Sequence, residues 1–165
     1  MLSEGLTNAV KNLMIQDVYF GSIDARVVNR QFFNEEAESF DELKPMLQQK
    51  FGVKKLTRET VSGKKYVYFT FEAGLRWTID GKSSDTDKLS ENEVLAYIES
   101  NIVACYQLKD DVPEEFLKEY AFKNSGIHVW PYWREFLSTT SERLKLPRVM
   151  LPTVQFQTEP LSEST

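Results

Sequence analysis

Cysteine is nearly absent. Cys105 stands alone among 165 residues, so no disulfide within the chain is available to staple the fold. Histidine is as scarce, with His128 alone. Any Ser-His-Asp arrangement would have to use it, and no serine sits in a Gly-x-Ser-x-Gly context. A zinc site built on His128 and Cys105 falls short of the usual four ligands. There is no glycine-rich phosphate loop. No apolar run approaches the roughly 20 residues that a membrane-spanning helix needs. The opening Met1-Leu-Ser-Glu-Gly-Leu6 lacks the basic-then-apolar order of a signal peptide. Excess positive charge is missing too. Lys and Arg number 20 against 25 Asp and Glu, a net charge of −5, which argues against a broad phosphate-binding surface and so against nucleic acid. These absences set the expectation of a cytoplasmic protein with no metal, no cofactor, no catalytic residues and no insertion into membranes.

What is present suits one globular domain. The hydrophobic share of 41% and the charged share of 27% are ordinary for a soluble fold with a real core. We expect residues 1–156 to form that domain and residues 157–165 to be a flexible polar tail. Ser3 followed by Leu6, Val10, Leu13 and Met14 predicts a helix over 3–14. Residues 17–30 read as a strand, with Val18 and Phe20 on one face and Tyr19, Ile23, Ala25 and Val27 mostly on the other. Residues 31–52 read as a long connection with some helical turns, interrupted at Pro45. Lys54–Val61 reads as a strand closed by a turn at Ser62-Gly63. Tyr66–Ile79 alternates strictly, with Val67, Phe69, Phe71, Ala73, Leu75, Trp77 and Ile79 on one side. Residues 80–92 are a polar loop. Val94–Leu108 is a second long strand, with Ile98, Ile102, Ala104, Tyr106 and Leu108 facing the core.

Helices follow. Pro113 with Glu114 and Glu115 marks a helix start, since proline forfeits no hydrogen bond there and carboxylates favour the positive end. Phe116, Leu117, Tyr120 and Ala121 form its buried stripe, and Asn124-Ser125-Gly126 is read as its end. A second helix is expected near Pro131, with Trp133, Phe136, Leu137, Thr140 and Leu144 on one face. An extended, proline-punctuated strap covers Leu146–Phe156. Long strands first and helices after give an α+β fold with an antiparallel sheet.

The paired carboxylates Glu35-Glu36, Asp110-Asp111 and Glu114-Glu115 read as solvated faces. The aromatic residues Phe32, Phe33, Phe40, Trp130, Trp133 and Phe136 have two readings. One is plain core. The other is a groove for unfolded polypeptide, which needs broad apolar contact and tolerance of many sequences. On the far face of the sheet, Tyr66, Tyr68, Tyr97 and Val103 are apolar for a wet surface, and Glu72 and Glu99 are placed to offer charge to a basic partner.

The run His128-Val-Trp-Pro-Tyr-Trp-Arg-Glu-Phe-Leu137, followed by Leu146-Pro147 and Leu151-Pro152, resembles the SecB export-chaperone family and more closely its SecB-like relatives. In that family an aromatic-Pro-Tyr-x-Arg-Glu segment opens the main helix, matched here by Pro131, Tyr132, Arg134 and Glu135. Trp133 replaces a small residue. The match covers roughly the last third of the chain. The resemblance implies a four-stranded antiparallel sheet with C-terminal helices packed on one face, assembled as a homotetramer, a dimer of dimers. It implies an ATP-independent holdase binding unfolded precursor polypeptides, for export or for protection of an antitoxin. The polypeptide would meet Phe32, Phe33, Phe40, Trp130, Trp133 and Phe136. The face carrying Tyr68, Glu72, Tyr97 and Glu99 would dock a partner such as the SecA motor, although Arg76 and Tyr68 dilute its acidity. Arg134 and Glu135 would fix the helix against neighbouring protomers. Two alternatives stand beside this: a dedicated interaction module without general chaperone activity, and a small ligand-binding or enzymatic domain.

Overall fold

The computed structural model describes residues 3–33, 45–79 and 94–153, with Phe32 by its backbone alone. The order is α1 (Glu4–Asn12), β1 (Leu13–Val27), β2 (Met46–Val61), β3 (Lys64–Thr78), β4 (Val94–Leu108), α2 (Glu114–Tyr120) and α3 (Gly126–Arg143). A 3-10 turn covers Arg30–Phe33, and a π turn, Ala121–Ser125, joins α2 to α3. The four strands lie in the order β1-β4-β3-β2, every pair antiparallel. The expected α+β class and four-stranded sheet are what the chain adopts. Phe40, the loop 80–92, residues 154–156 of the strap and the tail 157–165 lie outside the described residues.

The two central strands are the two with the cleanest alternation. On β3 the side chains of Val67, Phe69, Phe71, Ala73, Leu75 and Trp77 are all buried, and on β4 Ile98, Ile102, Ala104 and Tyr106 are wholly so. Cross-strand partners share a face, so the pairs Phe69↔Ala104, Phe71↔Ile102 and Leu75↔Ile98 build one apolar surface. The hairpin between β2 and β3 turns at Ser62-Gly63, where both residues have positive φ, 50° and 78°. That is the backbone a two-residue hairpin requires, and glycine takes it without steric cost.

The edge strands correct the sequence reading. β1 begins at Leu13, and its inward face holds Val18, Phe20, Ile23, Ala25 and Val27 together, because a register shift between Phe20 and Ser22 inserts an extra residue. Strict alternation carried across that bulge puts Ile23 on the wrong side. β2 begins at Met46, so residues 46–52 are strand and not connection. Leu47, Phe51 and Val53 carry a period of two that the neighbouring helical spacing obscured.

α1 is capped by Ser3, whose hydroxyl accepts from Leu6 N at 3.1 Å. It buries Leu6 and Ala9 and leaves Val10 exposed, while Leu13 and Met14, expected in the same helix, belong to β1. It packs on α2 at Gly5, where a Cβ would fall 2.5 Å from the Phe116 ring. α2 starts after Pro113 as expected and buries Leu117 and Tyr120. It does not stop at Asn124-Ser125-Gly126. The π turn carries the chain straight into α3, and Pro131 lies inside that helix. The buried stripe of α3 is Val129, Trp133, Leu137 and Ser141, four residues apart each time. The helix ends where Lys145 takes φ of 55°, with Leu146 N donating to Ser141 O at 2.9 Å and Lys145 N to Glu142 O at 3.1 Å. These two bonds make a Schellman stop, and Leu146 is buried against the helix it closes.

Candidate polypeptide-binding surface

α3 lies across the inner face of the sheet, and each of its flanks carries an aromatic contact. Towards β1, the rings of Phe20 and Phe136 have centroids 4.7 Å apart. Further along the inner face of β1, Ile15 is 40% and Ile23 55% exposed. Towards β2, Trp130 meets Phe51 edge-on at 4.9 Å, and Phe51 in turn stacks at 5.5 Å from Phe71. Gly126 lies against the same two rings, where a Cβ would make ordinary contact with Phe51 and Phe71 at 3.7 and 3.9 Å.

The strap runs back along α3. Trp130 Nε1 donates to Pro152 O at 2.9 Å, and Arg134 Nε donates to Leu151 O at the same distance. Arg30 Nη1 reaches Leu144 O at 2.6 Å, so the segment leaving β1 is tied to the end of the helix. Arg134 therefore fastens the strap within its own chain. Glu135 is exposed.

The six aromatic residues expected in one groove do not converge. Trp130 and Phe136 are partly open, but on opposite flanks of α3. Phe33 is half-buried against the core. Trp133 has no exposed surface at all and is a core residue, because it sits on the helix stripe turned to the sheet. It drops out of the contact set. Phe40 and the Phe32 side chain lie outside the described residues. Phe20, Phe51, Ile15 and Ile23 join the surface instead. Their signal was the apolar alternation of two strands, masked by a bulge in β1 and by an apparent helix in β2.

Tyr68, Glu72, Tyr97 and Glu99 share the outer face of the sheet, as register partners of Cys105, Asn101, Arg76 and Gly74, spread along β3 from Tyr68 to Arg76. It is not an open acidic patch. Glu72 is bound by Lys50 at 3.1 Å and Lys54 at 3.8 Å, and Glu99 by Arg76 at 2.7 Å. The Lys50 stem lies over Gly74, where a Cβ would come within 3.0 Å of it. The hydrogen bond from Lys50 holds the Glu72 carboxyl below its ordinary value. Tyr68 donates to Glu59 at 2.9 Å, and that bond pushes its own ionisation up to about 12. Burial raises the Tyr97 hydroxyl, and also the thiol of Cys105 opposite Tyr68. A raised, buried thiol is a poor nucleophile.

His128 is structural. Its Nδ1 lies 2.8 Å from the Tyr106 hydroxyl, which also bonds the buried Ser125 Oγ at 2.8 Å. Burial pushes the imidazole below its usual value. Among the described residues no group of three or more His, Cys, Asp or Glu is placed to hold a metal ion, and no helix is long and apolar enough to cross a membrane.

Neither a family model nor a curated protein sequence matches the chain. Among solved structures it is similar to the Mycobacterium tuberculosis Rv1957 SecB-like chaperone in complex with a ChAD peptide from the Rv1956 HigA1 antitoxin. That likeness covers 93% of this chain and 98% of the other, with a TM-score of 0.68 and 16% identity. At that identity the likeness is one of fold.

Proposed function

We propose that this chain is an ATP-independent holdase of SecB-like fold, which binds extended non-native polypeptide and keeps it from aggregating. The observation that carries the reading is the apolar surface left open along β1 and the flanks of α3, where Ile15 and Ile23 stay exposed beside the partly covered rings of Phe136 and Trp130. A monomeric fold seldom leaves so long an apolar edge strand without a partner for it. A SecB-like chaperone of the same fold holds an antitoxin peptide, which supports a polypeptide as the ligand class. Protection of an aggregation-prone partner fits better than delivery to the SecA motor, since Glu72 and Glu99 are already neutralised by Lys50, Lys54 and Arg76. We assign the protein to the cytoplasm and to a homo-oligomer, a dimer of dimers.

The test is aggregation of a chemically denatured client, followed by light scattering, with the chain at near-stoichiometric ratio and no nucleotide. Suppression is the expected result, and undiminished aggregation overturns the reading. The second reading, a dedicated partner module, draws on the single defined peptide held by that structural neighbour. Breadth separates the two: a specialist protects one client and ignores a generic denatured one.

A further inference from the structure

The strap is bound to its own chain as a foreign peptide would be. Residues 146–153 form neither helix nor strand. Among the described residues, the only backbone hydrogen bond made by this stretch is Leu146 N to Ser141 O, which belongs to the helix stop. From Pro147 onward it is held by two side-chain donors one helical turn apart, Trp130 Nε1 on Pro152 O and Arg134 Nε on Leu151 O. Its side chains alternate. Val149 and Leu151 turn inward, with Leu151 only 7% exposed, while Met150 between them is 76% exposed. Main-chain carbonyls read by fixed donors, with pockets for every second side chain, are how extended peptides are recognised. Nothing in such a site reads more of the sequence than an apolar residue at the Leu151 position. Pro147 and Pro152 keep the strap from joining a sheet or coiling into helix, so it stays in the conformation that an incoming extended segment would have.

We propose that the Trp130–Arg134 flank of α3 is a subsite for extended apolar polypeptide, filled in the free chain by residues 147–153, so that strap and client compete for it. The inference deepens the holdase reading and rests on it only for the identity of the competitor. Occupation by the strap lowers apparent client affinity by the fraction of chains in which the subsite is free. It also covers apolar surface that would otherwise attract other copies.

A fluorescent peptide Arg-Val-Met-Leu-Pro-Thr, copied from residues 148–153, tests this by anisotropy. The chain with Leu151→Ser, whose strap has lost its anchor, should bind it about tenfold more tightly than the unaltered chain. Leu151→Val should fall between them. Combining Leu151→Ser with Trp130→Phe, which keeps a ring on Phe51 but removes the donor, should abolish the gain. So should replacing leucine by serine in the peptide. Equal affinity for the unaltered chain and both Leu151 variants overturns the subsite, as does a gain that survives Trp130→Phe. If denatured client is held but the peptide affinities are equal, the subsite falls and the holdase stands. If the affinities follow the expected order but no client is held, the reverse is true.

Discussion

Phe20 on β1 and Phe136 on α3 meet with ring centroids 4.7 Å apart and planes tilted by 44°, the contact that fastens the helix to the sheet's first strand. Phe136 is partly open, whereas Trp133, one turn earlier, has no exposed surface. Phe136→Ala should therefore cost about 1–2 kcal/mol of stability and reduce client holding. Trp133→Ala should cost roughly 3–5 kcal/mol. Urea denaturation midpoints at unchanged slope check the order. Equal costs would place Phe136 in the core as well.

The burial of His128 beside Tyr106 gives the fold an acid sensitivity. Burial depresses the imidazole below 6.5, its ordinary value, so the unfolded chain takes up this proton more readily. Stability is fully present above about pH 6.5 and declines as pH falls towards the folded-state value. The melting temperature should drop between pH 7.5 and 5.5, and His128→Gln should flatten that slope. An unchanged slope in the variant would show that other groups govern it.

Lys145 closes α3 in the left-handed region, at φ of 55°, where residues other than glycine are strained. Lys145→Gly should keep both bonds of the stop, relieve that strain and stabilise the protein by up to about 1 kcal/mol. Thermal melting reads this directly, and a loss would mean that the Lys145 side chain contributes more than its backbone costs.

The ion pairs of the outer sheet face are partly exposed, with side-chain exposures of 40% and 43% for Lys50 and Glu72 and 30% and 24% for Arg76 and Glu99. Glu72→Gln and Glu99→Gln should each cost less than about 1 kcal/mol at pH 7, and less again in high salt. For Glu72 the contribution fades as pH falls through its lowered folded-state value, below 4.5. Chemical denaturation at two salt concentrations separates this from a larger, buried effect.

The central strands and the start of α2 were legible because β3, β4 and Pro113 obey local rules. Alternation there coincides with burial, and proline sits where its missing N–H is not needed. The join between α2 and α3 was not legible. Asn124-Ser125-Gly126 has the composition of a helix stop, yet Ser125 is drawn in to bond Tyr106, and Gly126 keeps right-handed helical angles (φ −55°) against the rings of Phe51 and Phe71. Tertiary packing overrode propensity at both positions. The candidate surface was half legible. The motif around Trp130 and Arg134 drew attention to the right helix, but one sequence does not say which side of it faces the sheet. Helical spacing alone does not separate Trp133, which turns to the sheet, from Trp130 and Phe136 on the flanks, and nothing local marks Phe20 and Phe51 as their partners.

The sheet order joins the two ends of the strand region: Leu13, at the start of β1, pairs with Leu108, about 95 residues later. At roughly 5–20 residues per second, a ribosome needs about five to twenty seconds to deliver the second partner after the first. During that interval Ile15, Tyr19 and Ile23 have no neighbouring strand. If the proposed function holds, a chain that shelters non-native polypeptide begins its own life as one.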